Sequence, residues 1–267
     1  MLGSPAPAPF NRYRTEFRDI PGFFLFESMV LWDFFFAAQA RLGVSGDFLE
    51  IGVYKGRSAV LGALYLRAEE RAIFVDINLP EEIRNLIGRA KPENNIFLER
   101  RSGDLLSERA LRESPGGFRW CHIDGDHTGY STADDLHTAA YLIRERGIIC
   151  VDDFFHFRYP QLTAAVYGFL RDHASRFRML FCGANKCYIC RAGAYAAYER
   201  DIRDNLAAQI QAYESDIRAN LAAQIQALKT QIYKTSYSSD NGCFSMWVRN
   251  SDREVHGMDE NPDFVPF

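Results

Sequence analysis

The sequence lacks a long apolar run, a basic block and a secretion signal. Its densest apolar stretch, at 22–38, is interrupted by Glu27 and Asp33, and nothing approaches the roughly 18 apolar residues of a membrane span. The opening MLGSPAPAPF has neither the charged nor the apolar region of a signal peptide. With a formal net charge of -4, the chain offers no basic surface for nucleic acid. We therefore expect a cytoplasmic protein with no membrane span and no nucleic-acid partner.

The cysteines form neither a disulfide framework nor a complete zinc motif. Cys182, Cys187 and Cys190 could make only a partial metal site, because structural zinc normally takes four ligands, usually as two closely spaced pairs. Most of the cysteines lie in apolar runs typical of strands, which favours buried, reduced thiols over the partial metal site.

Strand-like and helix-like segments alternate along the first two thirds of the chain. The predicted strands cover 46–52, 72–77, 95–101, 118–124 and 147–153. The predicted helices cover 58–70, 79–90, 104–113, 130–144 and 161–174. This order predicts an α/β fold with a mainly parallel sheet covered by helices on both faces. Two strand-like pieces within 177–193 are joined by Gly-Ala-Asn-Lys, which predicts a hairpin that adds an antiparallel edge.

Each of the five predicted parallel strands has an acidic residue near, at or just after its carboxyl end. A single aspartate in such a loop is usually a helix cap. Because ligands of these sheets bind outside the carboxyl ends of the strands, five acidic strand ends together predict a ligand site. The acids are Glu50, Asp76, Asp104, Asp124 and the pair Asp152 and Asp153.

The first strand-to-helix turn, EIGVYKGRSAV at 50–60, indicates the class of ligand. Gly52 and Gly56 allow a tight turn and a close approach of backbone to ligand, but the spacing is not the G-x-G-x-x-G of a dinucleotide site. Glu50 suits a cationic ligand better than a pyrophosphate. Asp76 follows Gly56 by 20 residues, where an acid can accept hydrogen bonds from ribose hydroxyls. A ribose-bearing cofactor with a positive end is S-adenosylmethionine.

Five motifs in combination carry a family resemblance. They are E-I-G-V-Y-K-G-R-S-A-V at the first turn, F-V-D-I at strand 2, S-G-D at strand 3, I-D-G-D-H at strand 4 and V-D-D at strand 5. With them, residues 46–170 resemble the class I S-adenosylmethionine-dependent methyltransferases. Among these, the chain is most similar to the metal-dependent O-methyltransferases typified by catechol O-methyltransferase, and to bacterial relatives such as macrocin O-methyltransferase that methylate sugar hydroxyls.

This resemblance implies a Rossmann-like, doubly wound, mainly parallel seven-stranded sheet with an antiparallel edge hairpin, N-terminal cap helices and a long C-terminal helix. It also implies roles in cofactor binding. Glu50, Gly52, Tyr54 and Ser58 are expected to line the methionine end of the cofactor, Asp76 to hold the ribose, and Asp104 to lie near the adenine.

Methyl transfer to a hydroxyl requires a deprotonated oxygen aligned with the sulfonium methyl. The carboxylates of Asp124, Asp152 and Asp153 form a hard ligand set for Mg²⁺ or another divalent cation, which would orient and activate the hydroxyl. His127 stands three residues after Asp124, where the catechol enzyme pattern has a lysine base, and is the expected general base.

We therefore predict an S-adenosylmethionine-dependent O-methyltransferase that acts on a small hydroxylated acceptor, such as a sugar, glycan or natural product. The alternative is a non-catalytic methyltransferase-like module that serves for oligomerisation.

Neighbouring polar residues have competing interpretations. Asp126 and Thr128 are better explained as caps of the helix near Tyr130 than as metal ligands. His122 lies inside strand 4 and is expected to pack in the core or on a sheet face. His156 either lines the acceptor pocket or lies in an exposed loop.

The C-terminal region contains a near-identical repeat, DIRDNLAAQIQA at 201–212 and DIRANLAAQIQA at 216–227. Its 15-residue offset over four turns gives 3.75 residues per turn, longer than a straight helix. We predict one long helix over 196–234 that buries its apolar stripe against a partner chain in a homo-oligomer; the alternative is packing against its own domain. The expected units are a leader with cap helices (1–45), a methyltransferase domain (46–194), the long helix (195–235) and an irregular tail (236–267).

Overall fold

A computed structural model describes residues 8–103, 105–219, 233–240 and 243–250, the last two ranges by backbone alone. The α-helices are α1 (Pro9–Glu16), α2 (Phe26–Arg41), α3 (Arg57–Leu64), α4 (Glu81–Ala90), α5 (Arg109–Arg112), α6 (Gly129–Leu142), α7 (Pro160–Asp172), α8 (Tyr195–Asp201) and α9 (Ala207–Ala212). The strands are β1 (Asp47–Ile51), β2 (Ala72–Asp76), β3 (Asn95–Glu99), β4 (Phe118–Ile123), β5 (Ile143–Val151), β6 (Phe177–Gly183), β7 (Lys186–Arg191), β8 (Tyr233–Asp240) and β9 (Cys243–Asn250).

Seven strands form one sheet in the order β3-β2-β1-β4-β5-β7-β6. Strands β1 to β5 pair in parallel, and β7 runs antiparallel to both β5 and β6. The predicted doubly wound sheet and its antiparallel edge hairpin are therefore confirmed. The winding direction reverses between β1 and β4, which opens a crevice at their carboxyl ends.

Alternation along the central strands divides the core into two layers. Phe48 of β1 and Trp120 of β4 point to one face, and their neighbours Leu49 and Cys121 point to the other. Side chains in a strand alternate with a period of two. Glu50 is two residues after Phe48 in β1 and therefore lies on the same face; its partner in β4 is His122.

The N-terminal helices cover the aromatic face, as expected for cap helices. Trp32 of α2 is fully buried, with its ring centroid 5.0 Å from that of Trp120. Phe36, one turn later, stacks on Trp120 at 4.4 Å. The aromatic stretch that the sequence concentrates in α2 is thus core material, and it closes the sheet beneath the crevice.

The C-terminal helix corrects one expectation. Ile202, Leu206 and Tyr213 pack into the core of their own domain instead of facing a partner chain. Tyr213 makes an edge-to-face contact with Phe10 of α1 at 5.2 Å. The prediction of an intermolecular stripe is wrong for this part because α1 and α2 leave an aromatic surface that the stripe covers. The second copy of the repeat, from residue 220 to 227, lies outside the described residues.

The long period of the repeat has a local explanation. A π-helical turn at Ile202–Leu206 separates α8 from α9, and the helix breaks again at Tyr213 before residues 214–219 resume it. A π turn holds more residues than an α turn. The excess over 3.6 residues per turn is therefore concentrated at one turn in this copy instead of being spread along a supercoil.

The expectation of an irregular tail is wrong for two segments. Strands β8 and β9 form an antiparallel pair in which Asp240 lies opposite Cys243, so the predicted helix also ends before Tyr233. The sequence does contain the relevant signal, because Asn241-Gly242 stands between two runs of alternating side chains, a pattern typical of a hairpin.

Two simpler expectations concern cysteine and membranes. Among the described side chains, Cys121, Cys150, Cys187 and Cys190 are buried and Cys182 is exposed, and all five are free thiols. No helix in the described ranges is both long and apolar enough to cross a bilayer.

Gly52 is the position where the fold is least tolerant of a side chain. Its φ is +88°, and an added Cβ would lie 1.8 Å from the carbonyl oxygen of Asp124. We expect Gly52→Ala to destabilise the protein by about 3 kcal/mol, because it combines a left-handed backbone with overpacking. Gly88→Ala is the matched control: it meets open space inside α4 and should stabilise by about 0.5–1 kcal/mol. Urea denaturation would contradict this account if both midpoints moved in the same direction.

Candidate active site

A cavity of about 1,620 Å³ opens at the carboxyl ends of the parallel strands. Its walls come from the turns after β1, β4 and β5, from the ends of β2 and β3, from residues 21–26 and from the β6–β7 turn. The predicted site residues that line it are Gly52, Tyr54, Ser58, Asp76, Asp124, His127, Asp152 and Asp153. Asp104 lies outside the described residues, so its expected place near the adenine stays a prediction.

The first turn is built around Asp76. One carboxylate oxygen of Asp76 accepts hydrogen bonds from the backbone N–H groups of Val53 and Tyr54, both at 2.8 Å, and the other accepts from Asn78 N–H at 3.0 Å. Asp76 therefore fixes the turn in addition to facing the cavity. The sequence motif predicts only the ribose role. The hydrogen bonds from Val53 and Tyr54 to Asp76 could not be predicted, because residue spacing carries no signal of them.

Glu50 lies beneath the turn and does not line the cavity. Its side chain is fully buried and accepts a hydrogen bond from the Ser58 hydroxyl. Burial raises the pKa of Glu50 to about 8. In this structure Glu50 reaches the cavity only through Ser58, and its negative charge is suppressed near neutral pH.

Asp124, His127 and Asp153 form one cluster at the cavity floor. His127 Nε2 lies 2.9 Å from Asp153 Oδ2 and 3.6 Å from Asp124 Oδ1. Burial alone would lower the pKa of His127, but its hydrogen bonds to Asp124 and Asp153 raise it to about 10. Burial alone would likewise raise the pKa of Asp153, and the contact with His127 lowers it instead. The imidazolium is the counter-ion of this cluster.

Asp152 belongs to a second cluster with Lys186 and His122. Lys186 is 2% exposed, and its Nζ lies 2.5 Å from Asp152 Oδ2 and 3.3 Å from His122 Nε2. Burial alone would lower the pKa of Lys186, and the Asp152 charge raises it overall. Burial and Lys186 hold the pKa of His122 well below its usual range. A neutral His122 that accepts from Lys186 at Nε2 carries its proton on Nδ1.

The Nδ1 proton of His122 faces Glu50 across 3.3 Å, without the alignment of a hydrogen bond. His122 is fully buried and its ring packs edge-to-face on Trp32 at 4.8 Å, as expected for a core position. It also lies between Glu50 and Lys186, the side-chain cation beside Asp152.

The two clusters share Asp124, which lies within 4.8 Å of ligand atoms on both sides. Burial, and then the charge of Asp152, raise the pKa of Asp124 well above its usual range. His127 and Lys186 act in the opposite direction and do not fully offset these two causes. The structure thus brings together the three predicted metal ligands, Asp124, Asp152 and Asp153, as two overlapping groups around Asp124.

His127 is held from outside by the start of α7. Its ring stacks on Tyr159 with centroids 4.4 Å apart, and Gln161 Nε2 donates to the His127 carbonyl at 2.9 Å. His156 continues the stack on the far side of Tyr159 at 5.1 Å and lines the cavity. Of the two interpretations of His156, the pocket-lining one holds.

Asp126 and Thr128 have the predicted capping role. Thr128 is the N-cap of α6 and accepts from Ser131 N–H at 3.3 Å, and Asp126 accepts from the Ser131 hydroxyl at 3.1 Å. These residues order the loop that carries His127.

Lys186 is the functional residue that sequence reasoning missed. It opens β7, and because β7 runs antiparallel to β5, its first residues lie at the same sheet edge as the end of β5. The available signal was a lysine at the start of the predicted antiparallel strand. The pattern of acidic residues at parallel strand ends does not lead to Lys186, because β7 runs in the opposite direction.

Glu50 predicts a pH dependence of stability. With a folded pKa of about 8 against a usual value of 4.5, protonated Glu50 contributes stability that is complete below pH 4.5 and is lost as the pH rises to 8. The loss should approach about 1.4 kcal/mol per pH unit over that window. Glu50→Gln should therefore lose less stability than the wild type between pH 5.5 and 8 in urea titrations. Parallel curves for the two proteins would show that Glu50 is ionised in the folded state.

The buried Lys186–Asp152 pair predicts a non-additive mutation cycle. Lys186→Met strands a buried carboxylate and should destabilise by about 3 kcal/mol, and Asp152→Asn strands the ammonium with a similar effect. The double variant removes both charges and should recover most of the loss. All three losses of unfolding free energy are measured by denaturant unfolding. If the loss in the double variant equals the sum of the losses in the two single variants, the pairing is refuted.

Part of the chain matches a known protein family. Residues 49–154 match the family model of a methyltransferase domain. No curated protein matches the chain significantly. Among solved structures, a Corynebacterium glutamicum protein shares 16% identity over 69% of this chain and 89% of its own, with a TM-score of 0.52.

Two enzymes are similar at the same level. CalS11, described as a TDP-rhamnose 3'-O-methyltransferase of calicheamicin biosynthesis, has 18% identity over 72% of this chain and 89% of its own, with a TM-score of 0.50. MycE, a methyltransferase of the mycinamycin pathway determined with Mg and SAH, has 15% identity over 71% of this chain and 56% of its own, with a TM-score of 0.52. Residues 49–154 thus match the model of a methyltransferase domain, and the similarity to the solved structures shows that the chain shares their doubly wound fold.

Proposed function

We propose that the protein transfers a methyl group from S-adenosylmethionine to a hydroxyl of a small acceptor, with a divalent cation at the carboxylates. The observation that carries the proposal is the convergence of Asp124, Asp152 and Asp153 with His127 at the floor of a cavity bordered by the first turn. Three carboxylates this close are costly to bury without a bound cation.

The first turn fits the cofactor. Gly52 and Gly56 have φ values of +88° and +80°, which favour glycine, and Gly52, which has no side chain, lines the cavity. Tyr54, Ser58 and Asp76 line the cavity beside it. We assign these residues, with Glu50 acting through Ser58, to the methionine and ribose parts of the cofactor. When bound, the cofactor supplies an electrophilic methyl on a sulfonium.

The carboxylates fit a divalent cation. Their oxygens are hard ligands of the kind that Mg²⁺ prefers. Burial, and then the charge of Asp152, raise the pKa of Asp124, and a bound cation would offset both. Asp124, Asp152 and Asp153 would hold the cation. When bound, it supplies the positive charge that the imidazolium now provides, and it acidifies a coordinated hydroxyl.

His127 is the proposed general base. Its place between Asp124 and Asp153 stabilises the protonated ring, which is the form produced when Nε2 takes the acceptor proton. Tyr159 and Gln161 hold the ring and its backbone in place, so the acceptor oxygen meets a fixed nitrogen. A cation held by the two carboxylates would replace the positive charge of the ring and leave Nε2 of His127 free to take the acceptor proton.

The acceptor class is proposed from similarity in fold and from the site. CalS11 is described as a TDP-rhamnose 3'-O-methyltransferase, and MycE belongs to the mycinamycin biosynthetic pathway. A sugar, a glycan or a natural product is therefore the acceptor we assign. The non-catalytic alternative is disfavoured, because a platform has no need of a buried cluster that combines three acids with an imidazole and an ammonium.

Self-association remains a proposal for the part of the helix that does not cover its own domain. Residues 195–213 are already used in the core, so an oligomer formed through the predicted long helix would depend on the second copy of the repeat. Sedimentation of the intact protein tests this directly.

The metal role predicts separable losses. Asp153→Asn should weaken Mn²⁺ binding at least about tenfold, while S-adenosylhomocysteine binding, measured by calorimetry, stays within about threefold of the wild type. Asp126→Asn is the matched control and should leave both affinities unchanged, because its carboxylate accepts from the Ser131 hydroxyl and does not belong to the cluster around Asp124. With a suitable acceptor, chelation should stop transfer. Full turnover in excess EDTA would remove the metal role, and absence of S-adenosylhomocysteine binding would favour the non-catalytic module.

A further inference from the structure

The turn between β6 and β7 reaches the carboxylates from the antiparallel edge of the sheet. At the end of β5, Val151 lies opposite Cys187 of β7. Residues of antiparallel strands face each other one by one, so this register, continued by two residues, brings Asn185 opposite Asp153. The contact is present, because Asn185 Nδ2 donates to Asp153 Oδ1 at 2.6 Å.

The carboxylate of Asp153 is thereby divided between two partners. Its Oδ1 accepts from Asn185, and its Oδ2 lies 2.9 Å from His127 Nε2. An ionised carboxylate can only accept hydrogen bonds, so the amide presents its NH₂ group to Asp153. With Oδ1 held in this way, Oδ2 is the oxygen that faces the cluster with Asp124 and His127.

Two successive residues of the chain therefore hold two successive aspartates, and they differ in charge. The ammonium of Lys186 lies 2.5 Å from Asp152, whereas the Asn185 amide carries no net charge. The negative charge of Asp153 is thus left to the cavity side, where His127 meets it. A neutral donor orients a carboxylate without competing with a cation for its charge.

The backbone of the turn suits an asparagine. Ala184 and Asn185 have φ values of +50° and +65°, as in a two-residue type I′ hairpin turn. Asparagine enters the left-handed region more readily than most residues that carry a side chain. Glycine would satisfy the same backbone but has no donor. Asn185 therefore meets the demand of the turn and also supplies the amide.

Two further hydrogen bonds fix the turn in place. The Phe154 N–H donates to the Asn185 carbonyl at 3.1 Å, which ties the turn to the segment after β5. The hydroxyl of Ser28, a buried residue of α2, donates to the Ala184 carbonyl at 2.6 Å. The position of the amide is therefore set by the backbone on both sides and does not depend on the side chain of Asp153.

We propose that Asn185 is a positioning residue for metal binding: its amide holds Asp153 with Oδ2 toward Asp124, so that the carboxylate meets a cation already oriented. The inference rests on the proposed function and extends it to a residue that acts through a ligand. Loss of a hydrogen bond to a metal-ligating group typically weakens metal binding by roughly 10–100-fold.

The test compares two glycine substitutions in the same turn of the intact protein. Asn185→Gly removes the amide, whereas Ala184→Gly retains it, and glycine fits the left-handed backbone at both positions. In calorimetric titrations, Asn185→Gly should weaken Mn²⁺ binding at least about tenfold, and Ala184→Gly should stay within about threefold of the wild type. Both variants should keep the wild-type affinity for S-adenosylhomocysteine and a urea midpoint close to that of the wild type.

A double-variant cycle separates positioning from an independent effect. In the Asp153→Asn background, Asn185→Gly should cause no further loss of Mn²⁺ affinity, because the carboxylate that the amide orients is already absent. Equal losses in the two backgrounds, equal Mn²⁺ affinities of the two glycine variants, or unfolding of Asn185→Gly alone would overturn the inference. Absence of Mn²⁺ binding to the wild-type protein would overturn the metal role in the proposed function, and the inference with it.

Discussion

The site depends on the balance of charge at the ends of three adjacent strands. Asp124, Asp152 and Asp153 bring negative charge to one buried point, and the fold provides two side-chain cations there. Lys186 is enclosed and committed to Asp152, whereas His127 is one-third exposed and sits at the cavity. The two cations are therefore not equivalent, because the imidazole is exposed to the cavity and the ammonium is enclosed. In the proposed function, an incoming divalent cation would replace the charge of His127 and leave the Lys186–Asp152 pair in place.

The parallel part of the fold could be predicted because its signals are local. Each strand is a short apolar run that ends at an acid, and parallel strands place such ends on one edge, so Asp124 and Asp152 were expected to meet. The same reasoning could not reveal Lys186, which enters from a strand of opposite direction, or the bonds from the first turn to Asp76. Both depend on backbone geometry between distant elements, and residue spacing carries no trace of it.

The C-terminal region shows the opposite limit. The repeat correctly indicated a helix with an apolar stripe, but a stripe does not specify the surface that it covers. Here Tyr213 meets Phe10 and Phe26, so residues after α8 complete the core of the domain that precedes them. The pairing of β8 with β9 is a different case, because polar composition predicts an irregular segment whereas Asn241-Gly242 between two alternating runs favours a hairpin.

These contacts build one wall of the cavity from segments that are far apart in the sequence, namely α1, the start of α2 and the residues around Tyr213. Phe26 closes the segment that carries Phe23 and Leu25, and it is packed by Phe10 of α1 and by Tyr213. Arg14 of α1 reaches Asp216 at 2.7 Å, which ties the two layers together. This wall lies on the helices, whereas Asp124 and Asp152 lie at the ends of the strands. In the proposed function, the sheet therefore positions the carboxylates, and the helices packed above it shape the part of the cavity that receives the acceptor.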